Sequence, residues 1–251
     1  MKQGAYALGV FMALALATPA AADDATPQDH AGWQVSFTPY VWAAGVSGEI
    51  ELPNGGDPLE FDRSITSDLK SAFMGALNLE HGDLVVFVSG NYLSLRSVSN
   101  DIDAPAHLDG EVQTKLLETT PLVGYKVLNA GDTSLELLGG ARIVSLKNDI
   151  HLELPQGQLD TQRDRSTAAP VVASRFKTSL GGRWGLSLYG DIGGLTELDL
   201  TWQLLAAANY RLGEHWTLGA GYRYLSLQSD KPGATIDARF SGPLVGATYR
   251  F

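Results

Sequence analysis

The chain has no cysteine in 251 residues. Disulfides, thiolate metal sites and cysteine nucleophiles are therefore excluded together. It has little charge, 18% of residues, against the roughly 25% of an average soluble domain. It is short of bases, with 18 Lys and Arg against 28 Asp and Glu and a net charge of −10. No basic stripe marks a nucleic-acid partner, and none is expected. Long apolar runs are also scarce. The exception is Ala5 to Ala17, preceded by Lys2 and followed by Pro19-Ala20-Ala21-Ala22. That run is shorter than the roughly 20 residues of a spanning helix. A positive start, an apolar middle and a small-residue site predict a secretory signal peptide over 1–22, cleaved after Ala22. Asp23 to Gly32 reads as a flexible periplasmic leader, and 33–251 as one domain. An exported chain with no other long apolar stretch is soluble or crosses a membrane without helices.

What is present is alternation. In Trp216-Thr217-Leu218-Gly219-Ala220-Gly221-Tyr222-Arg223-Tyr224 the even positions are large or apolar and the odd ones small or polar. Trp202, Leu204, Ala206, Ala208 and Tyr210 oppose Gln203, Asn209 and Arg211 in the same way. The pattern returns around Trp184–Ile192, Leu135–Ile143 and Trp33–Val41. Period two with one apolar and one polar face is the signature of strands. Ten strands are expected, near 33–44, 71–80, 83–97, 111–127, 132–146, 168–179, 183–194, 200–211, 215–228 and 236–251. Tight connections at 81–82, 128–131, 180–182 and 212–214 alternate with long ones at 45–70, 98–110 and 147–167. Short turns on one rim and long loops on the other are the plan of an outer-membrane barrel. The expected fold is all-β: a closed antiparallel up-and-down transmembrane barrel of about ten strands, with eight or twelve as alternatives.

Centring a hairpin on Gly213 sets Tyr210 opposite Trp216 and Trp202 opposite Tyr224. With Trp33, Trp184 and Tyr249 these form candidate aromatic girdles at the two membrane interfaces. A soluble β-sandwich would bury the same apolar face, but it would not concentrate Trp and Tyr at both strand ends. The last residues alternate through Val245, Ala247, Tyr249 and Phe251. Gly246, Tyr249 and Phe251 look like the C-terminal signal read by the outer-membrane assembly machinery, an edge strand that can be added to another sheet.

The stretch Thr38-Pro39-Tyr40-Val41-Trp42-Ala43-Ala44-Gly45-Val46-Ser47-Gly48 resembles the TPYxWxxGxxG block of a family of small proteobacterial outer-membrane β-barrel proteins. Phe73–Leu77, Leu200–Ala206, Gly221–Leu225 and Ser241–Gly246 resemble its later blocks. The resemblance covers most of the expected domain. It implies a location in the outer membrane of a Gram-negative bacterium and a fold, and little about activity.

The polar face carries Asn78, Glu80, Asn91, Glu118, Glu136, Arg142, Arg175, Lys177, Asp191, Gln203, Asn209, Arg211 and Arg223. Centring near Ala130 sets Glu118 opposite Arg142; Gln203 falls opposite Arg223, with Asp191 at similar depth. Glu118, Glu136, Arg142, Arg175, Asp191, Gln203 and Arg223 are the candidate lumen network. Barrels of about eight strands are filled by side chains and those of 16 or more hold a channel. A paired plug is expected, with a narrow charged pore as the alternative. The expected role is structural or porin-like, passing ions or small polar solutes. The other reading is a ligand- or partner-binding barrel acting through its long acidic outer loops. No catalysis is expected. His81 and His215 fall at turns and His30 in the leader, while His107 and His151 lie near Asp101, Asp103, Asp109 and Asp149 on outer loops. No metal-ligand spacing or cofactor motif appears. Asp57, Glu60, Asp62, Asp68, Glu153, Asp160 and Asp164 suit weak divalent-cation bridging to lipopolysaccharide. Lipid, lipopolysaccharide and the assembly machinery are the expected partners.

Overall fold

The computed structural model describes residues 32–51, 59–64, 69–102, 108–154, 157–194, 199–231 and 234–251. The expected signal peptide, nearly all of the leader with His30, and Asp57, Asp68, Asp103 and His107 lie outside the described residues. Regular structure among the described residues is entirely β. The strands are β1 (Gln34–Trp42), β2 (Gly45–Glu51), β3 (Leu59–Ser64), β4 (Leu69–His81), β5 (Leu84–Ile102) and β6 (Leu108–Ala130), then β7 (Thr133–Leu154), β8 (Gly157–Gly181), β9 (Trp184–Gly194), β10 (Leu200–Arg211), β11 (Trp216–Lys231) and β12 (Ala234–Arg250). From β4 to β12 each strand pairs antiparallel with the next. β1 pairs β4 on one edge and β12 on the other, so the sheet closes into a ten-stranded barrel.

The faces follow the alternation. Val41, Phe73, Val123, Tyr125, Val172, Ile192, Leu204, Tyr222 and Val245 point outward and are exposed. Their strand neighbours of opposite parity point into the lumen: Trp42, Met74, Leu122, Leu138, Val171, Asp191, Gln203, Arg223 and Leu244 are buried. No outward position between Trp184 and Ile192, or between Trp202 and Tyr210, carries a charge. Tight turns sit at 82–83, 131–132 and 182–183, each opened by glycine; Gly131 stands at φ 58°, the left-handed region that suits glycine. The wall is tightly curved. A Cβ on lumen-facing Gly221 would lie 2.2 Å from the Ala206 carbonyl oxygen, so the bend needs the bare backbone.

Three expectations are corrected. First, the expected loop 45–70 contains a hairpin. After a break at Ala43-Ala44, β2 carries the line of β1 onward along β12, and β3 folds back on β2.

Second, the expected loops 98–110 and 147–167 are largely strand. β6, β7 and β8 have 23, 22 and 25 residues, about twice the roughly 9–11 that cross a bilayer. The β7–β8 ladder runs unbroken from Leu154↔Gly157 to Ser134↔Lys177. These stretches are rich in charge, but a ladder in water needs only paired backbones. The alternation of Ile150, Leu152 and Leu154 with Asp149, His151 and Glu153 is still strand patterning.

Third, two registers differ by two residues. Trp202 lies opposite Ser226 and Tyr210 opposite Leu218. The connection between β10 and β11 is longer than a tight turn, closed where the Leu212 amide donates to the Trp216 carbonyl at 2.9 Å. Glu118 lies opposite Val144 rather than Arg142, because the turn is Gly131-Asp132 and a bulge at Val127 shifts the ladder by one residue. Gln203 lies opposite Leu225, and Arg223 opposite Leu205.

Candidate functional site

The lumen holds a polar network in two joined layers. The deeper layer gathers side chains from β4, β6, β7 and β8 near the short-turn rim. Arg175 Nε donates to Glu136 Oε2 at 2.6 Å, and its Nη2 donates to Asn78 Oδ1 at 2.6 Å. Lys177 Nζ lies 3.1 Å from Glu136 Oε1 and 3.3 Å from Glu80 Oε1. Lys126 Nζ meets Glu80 Oε2 at 2.6 Å. The guanidinium of Arg175 also lies 4.8 Å from the centre of the Phe87 ring.

The upper layer centres on Arg142, whose side chain is 0% exposed. Its Nη2 donates to Asp191 Oδ2 at 2.7 Å and its Nη1 to Thr201 Oγ1 at 2.5 Å. Its Nε lies 3.4 Å from Glu118 Oε1. The Tyr189 hydroxyl donates to Asp191 at 2.7 Å, and the Thr120 hydroxyl to Glu118 at 2.6 Å. Asn91 Nδ2 donates to the other Glu118 oxygen. Arg223 donates twice to Gln203 Oε1, at 3.0 Å and 2.5 Å, and lies 3.6 Å from Glu118. The Tyr40 hydroxyl donates to Asn91 at 2.9 Å.

Two apolar clusters complete the filling. Val85, Leu122, Leu138, Val171, Ala173 and Tyr189 pack one side of the lumen. Trp42, Ala44, Met74, Leu93, Leu225 and Leu244 close it toward the end opposite the short turns. The Trp42 ring lies over Arg223, 4.4 Å from its guanidinium carbon, so the apolar cap and the ion pairs are one packed body. Below the deeper layer the lumen opens at the short-turn rim as a cavity of 770 Å³.

The arrangement is what enclosure demands. Taking ions out of water costs several kcal/mol each unless partners and hydrogen bonds replace the water. Arg142, Arg175, Arg223, Lys126 and Lys177 face Glu80, Glu118, Glu136 and Asp191, each cation within 4 Å of a carboxylate.

The outer membrane protein beta-barrel domain family matches residues 8–251. The chain belongs to that family. This outer-membrane barrel has its short-turn rim and both strand termini on the periplasmic side, as the plan of such barrels requires. Its fold is similar to that of the outer membrane protease OmpT of Escherichia coli, with 10% identity, 88% of this chain and 97% of that one covered, and a TM-score of 0.48. The translocator domain of the autotransporter NalP from Neisseria meningitidis matches at 16% identity, over 89% of this chain and 90% of that one, with a TM-score of 0.47. The attachment invasion locus protein Ail of Yersinia pestis matches at 15% identity, over 88% and 99%, with a TM-score of 0.34. No protein of curated function matches the sequence.

The structure gathers Glu118, Glu136, Arg142, Arg175, Asp191, Gln203 and Arg223 in the barrel lumen, all buried. Sequence reasoning missed Lys126, Tyr40, Thr120, Thr201 and the apolar closure by Trp42 and Met74. Lys126, Thr120, Thr201 and Met74 share the strand parity of the named residues, and Tyr40 and Trp42 lie on the β1 face that carries Ser36 and Thr38, which was the available signal. The outward rings cluster in pairs: Trp184 and Tyr210, and Trp216 and Tyr249, are directly opposed across their ladders, and Trp202 meets Tyr224 on the diagonal. Trp184 and Tyr210 lie 4.9 Å apart, Trp202 stacks on Tyr224 at 4.7 Å, and Tyr249 lies 4.9 Å from both Trp216 and Phe251. Trp33 packs on His81 at 5.3 Å. Gly246 stands between Gly219 and Tyr40. His215 Nδ1 meets the Arg250 carbonyl at 2.9 Å, and His151 sits on β7 in register with Asp160.

Proposed function

We propose that this outer-membrane barrel is a structural envelope protein whose lumen is plugged by its own side chains, and that it has no enzymatic role. One observation carries the reading: five cations and four carboxylates pair across the full width of the lumen, with Arg142 and Glu136 at 0% exposure. An ion crossing this layer would have to break several buried pairs at once, each break leaving a buried charge without a partner. The same pairing occupies the acids and bases that a catalytic site would need free. Planar-bilayer recording tests the reading. The unaltered protein is expected to insert silently, and the triple variant Arg142→Ser/Glu118→Ser/Arg223→Ser to give discrete openings. Steady openings of the unaltered protein, with ion selectivity reversed by Arg223→Glu, would establish the narrow pore instead.

A second reading is favoured by the length of β6, β7 and β8. About 12 residues of each exceed a membrane crossing, roughly 30 Å of sheet along the normal. That sheet offers a surface for a partner outside the cell, and its acidic residues suit cation-bridged lipopolysaccharide. Calcium-dependent retention on lipopolysaccharide vesicles, lost when 147–164 is removed, would support it; retention unchanged by the deletion would overturn it.

A further inference from the structure

The periplasmic cavity of 770 Å³ is lined by Arg175, Lys177, Arg183, Arg211 and Arg250, against Glu80, Asp132 and Glu214. The deeper cations are committed: Arg175 to Glu136, and Lys177 to Glu136 and Glu80. Arg183, Arg211 and Arg250 are different. None forms an ion pair or side-chain hydrogen bond among the described residues. In a chain of net charge −10, these uncommitted guanidiniums are concentrated at one mouth.

Strand parity aims Arg211 and Arg250 inward, and the turn residue Arg183 lines the same mouth. Arg211 ends the row of Gln203, Ala207 and Asn209, and Arg250 the row of Leu244, Gly246 and Thr248, while Arg183 sits in the turn that leads into the β9 row of Ser187, Tyr189 and Asp191. The deeper members Gln203, Ala207, Leu244, Tyr189 and Asp191 are buried in the lumen. Arg183 and Arg211 are neighbours, the Arg211 amide donating to the Arg183 carbonyl at 2.9 Å. Neutral donors stand just above them: Asn209 Nδ2 donates to Ser187 Oγ at 2.8 Å, and the Thr38 and Thr248 hydroxyls meet at 2.8 Å.

We infer that this cavity is a binding site for a multivalent phosphate- or carboxylate-bearing anion entering from the periplasm. Guanidinium forks match the paired oxygens of such groups. A concave wall of low dielectric strengthens their field. The ion-paired layer above makes the site a dead end, so it holds its ligand rather than conducting it. That last point rests on the plugged-lumen reading; the binding itself does not.

The test titrates pyrophosphate, and separately citrate, into the refolded full-length barrel in neutral detergent at low salt, followed by calorimetry. One saturable, salt-sensitive site is expected. The double variant Arg183→Gln/Arg211→Gln should bind about tenfold more weakly or worse, the loss of at least one charge-assisted hydrogen bond. Arg211→Lys should retain part of the affinity, and Lys147→Gln, on the outer extension, all of it. Heat-modifiable migration of each variant verifies folding. Repeating the titration in nanodiscs with and without phosphatidylglycerol separates the ligand sources. Competition by the lipid identifies a headgroup as occupant, and its absence a free solute. No saturable binding, or equal binding by the double variant, overturns the site. Failure of the plug would appear in bilayer conductance and leave this titration unchanged.

Discussion

Arg142 meets two carboxylates and the Thr201 hydroxyl with no solvent contact. Its value to the fold is asymmetric. A buried ion pair adds little net stability over a well-packed apolar pair, yet removing one partner leaves a buried charge uncompensated. Arg142→Met fills much of the same volume and leaves Asp191 and Glu118 facing each other without their shared cation. The expected cost is about 3–5 kcal/mol, read as a lowered urea midpoint of the refolded barrel. Arg142→Lys keeps the charge but not the fork, and should lose less. A shift below about 1 kcal/mol for Arg142→Met would mean that water already compensates these groups. At this scale much of the chemistry was legible beforehand. Parity alone puts Glu118, Arg142, Asp191 and Arg223 on one face, and enclosure requires that they pair. Which atoms pair was not legible. Arg142 and Glu118 are not directly opposite, and their contact exists because long side chains reach diagonally across a ladder.

The existence of the ten barrel strands was written in the alternation, whereas the β2–β3 hairpin, strand ends and register were not. Each register rests on a turn of a few residues, and a turn centred one residue later moves every pair by two. That is what separates the expected Trp202–Tyr224 pair from the observed one, where the rings still stack because diagonal neighbours lie within reach of aromatic side chains. Strand ends failed for another reason. Within the bilayer the lipid dictates apolar outward residues, but beyond it the β7–β8 ladder continues with charges on both faces. The independence of that extension can be measured. Replacing 147–164 by Asn-Gly rejoins Leu146 to Arg165, a pair already in register, through a turn suited to a two-residue hairpin. The shortened barrel should keep its heat-modifiable migration, with an unfolding free energy from urea titration changed by less than about 1 kcal/mol. Loss of folding would show that the outer sheet helps nucleate the barrel.

For the whole molecule, closure is the decisive step, because an open ten-stranded sheet would leave two unpaired edges in lipid. Closure joins β1 to β12 from Ser36↔Arg250 to Trp42↔Leu244. Phe251 lies just past the last pair, its side chain exposed and its amide donating to the Val35 carbonyl at 3.0 Å. In the finished barrel its ring lies 4.9 Å from that of Tyr249 and is largely exposed. A residue so weakly used in the folded state, at the end of an edge strand with outward Tyr249, Ala247 and Val245, suits a role during assembly, when that strand is still free to pair with another sheet. Removing Phe251 should therefore separate two measurements. Refolding into detergent from urea should give an unfolding free energy within about 1 kcal/mol of the intact chain, the loss of one exposed side chain and one terminal backbone hydrogen bond. The amount reaching the outer membrane of cells should fall severalfold, with the remainder degraded in the periplasm. Equal membrane levels for the two chains would overturn the assembly role of Phe251, while a large drop in unfolding free energy would make Phe251 a clasp of the closed barrel.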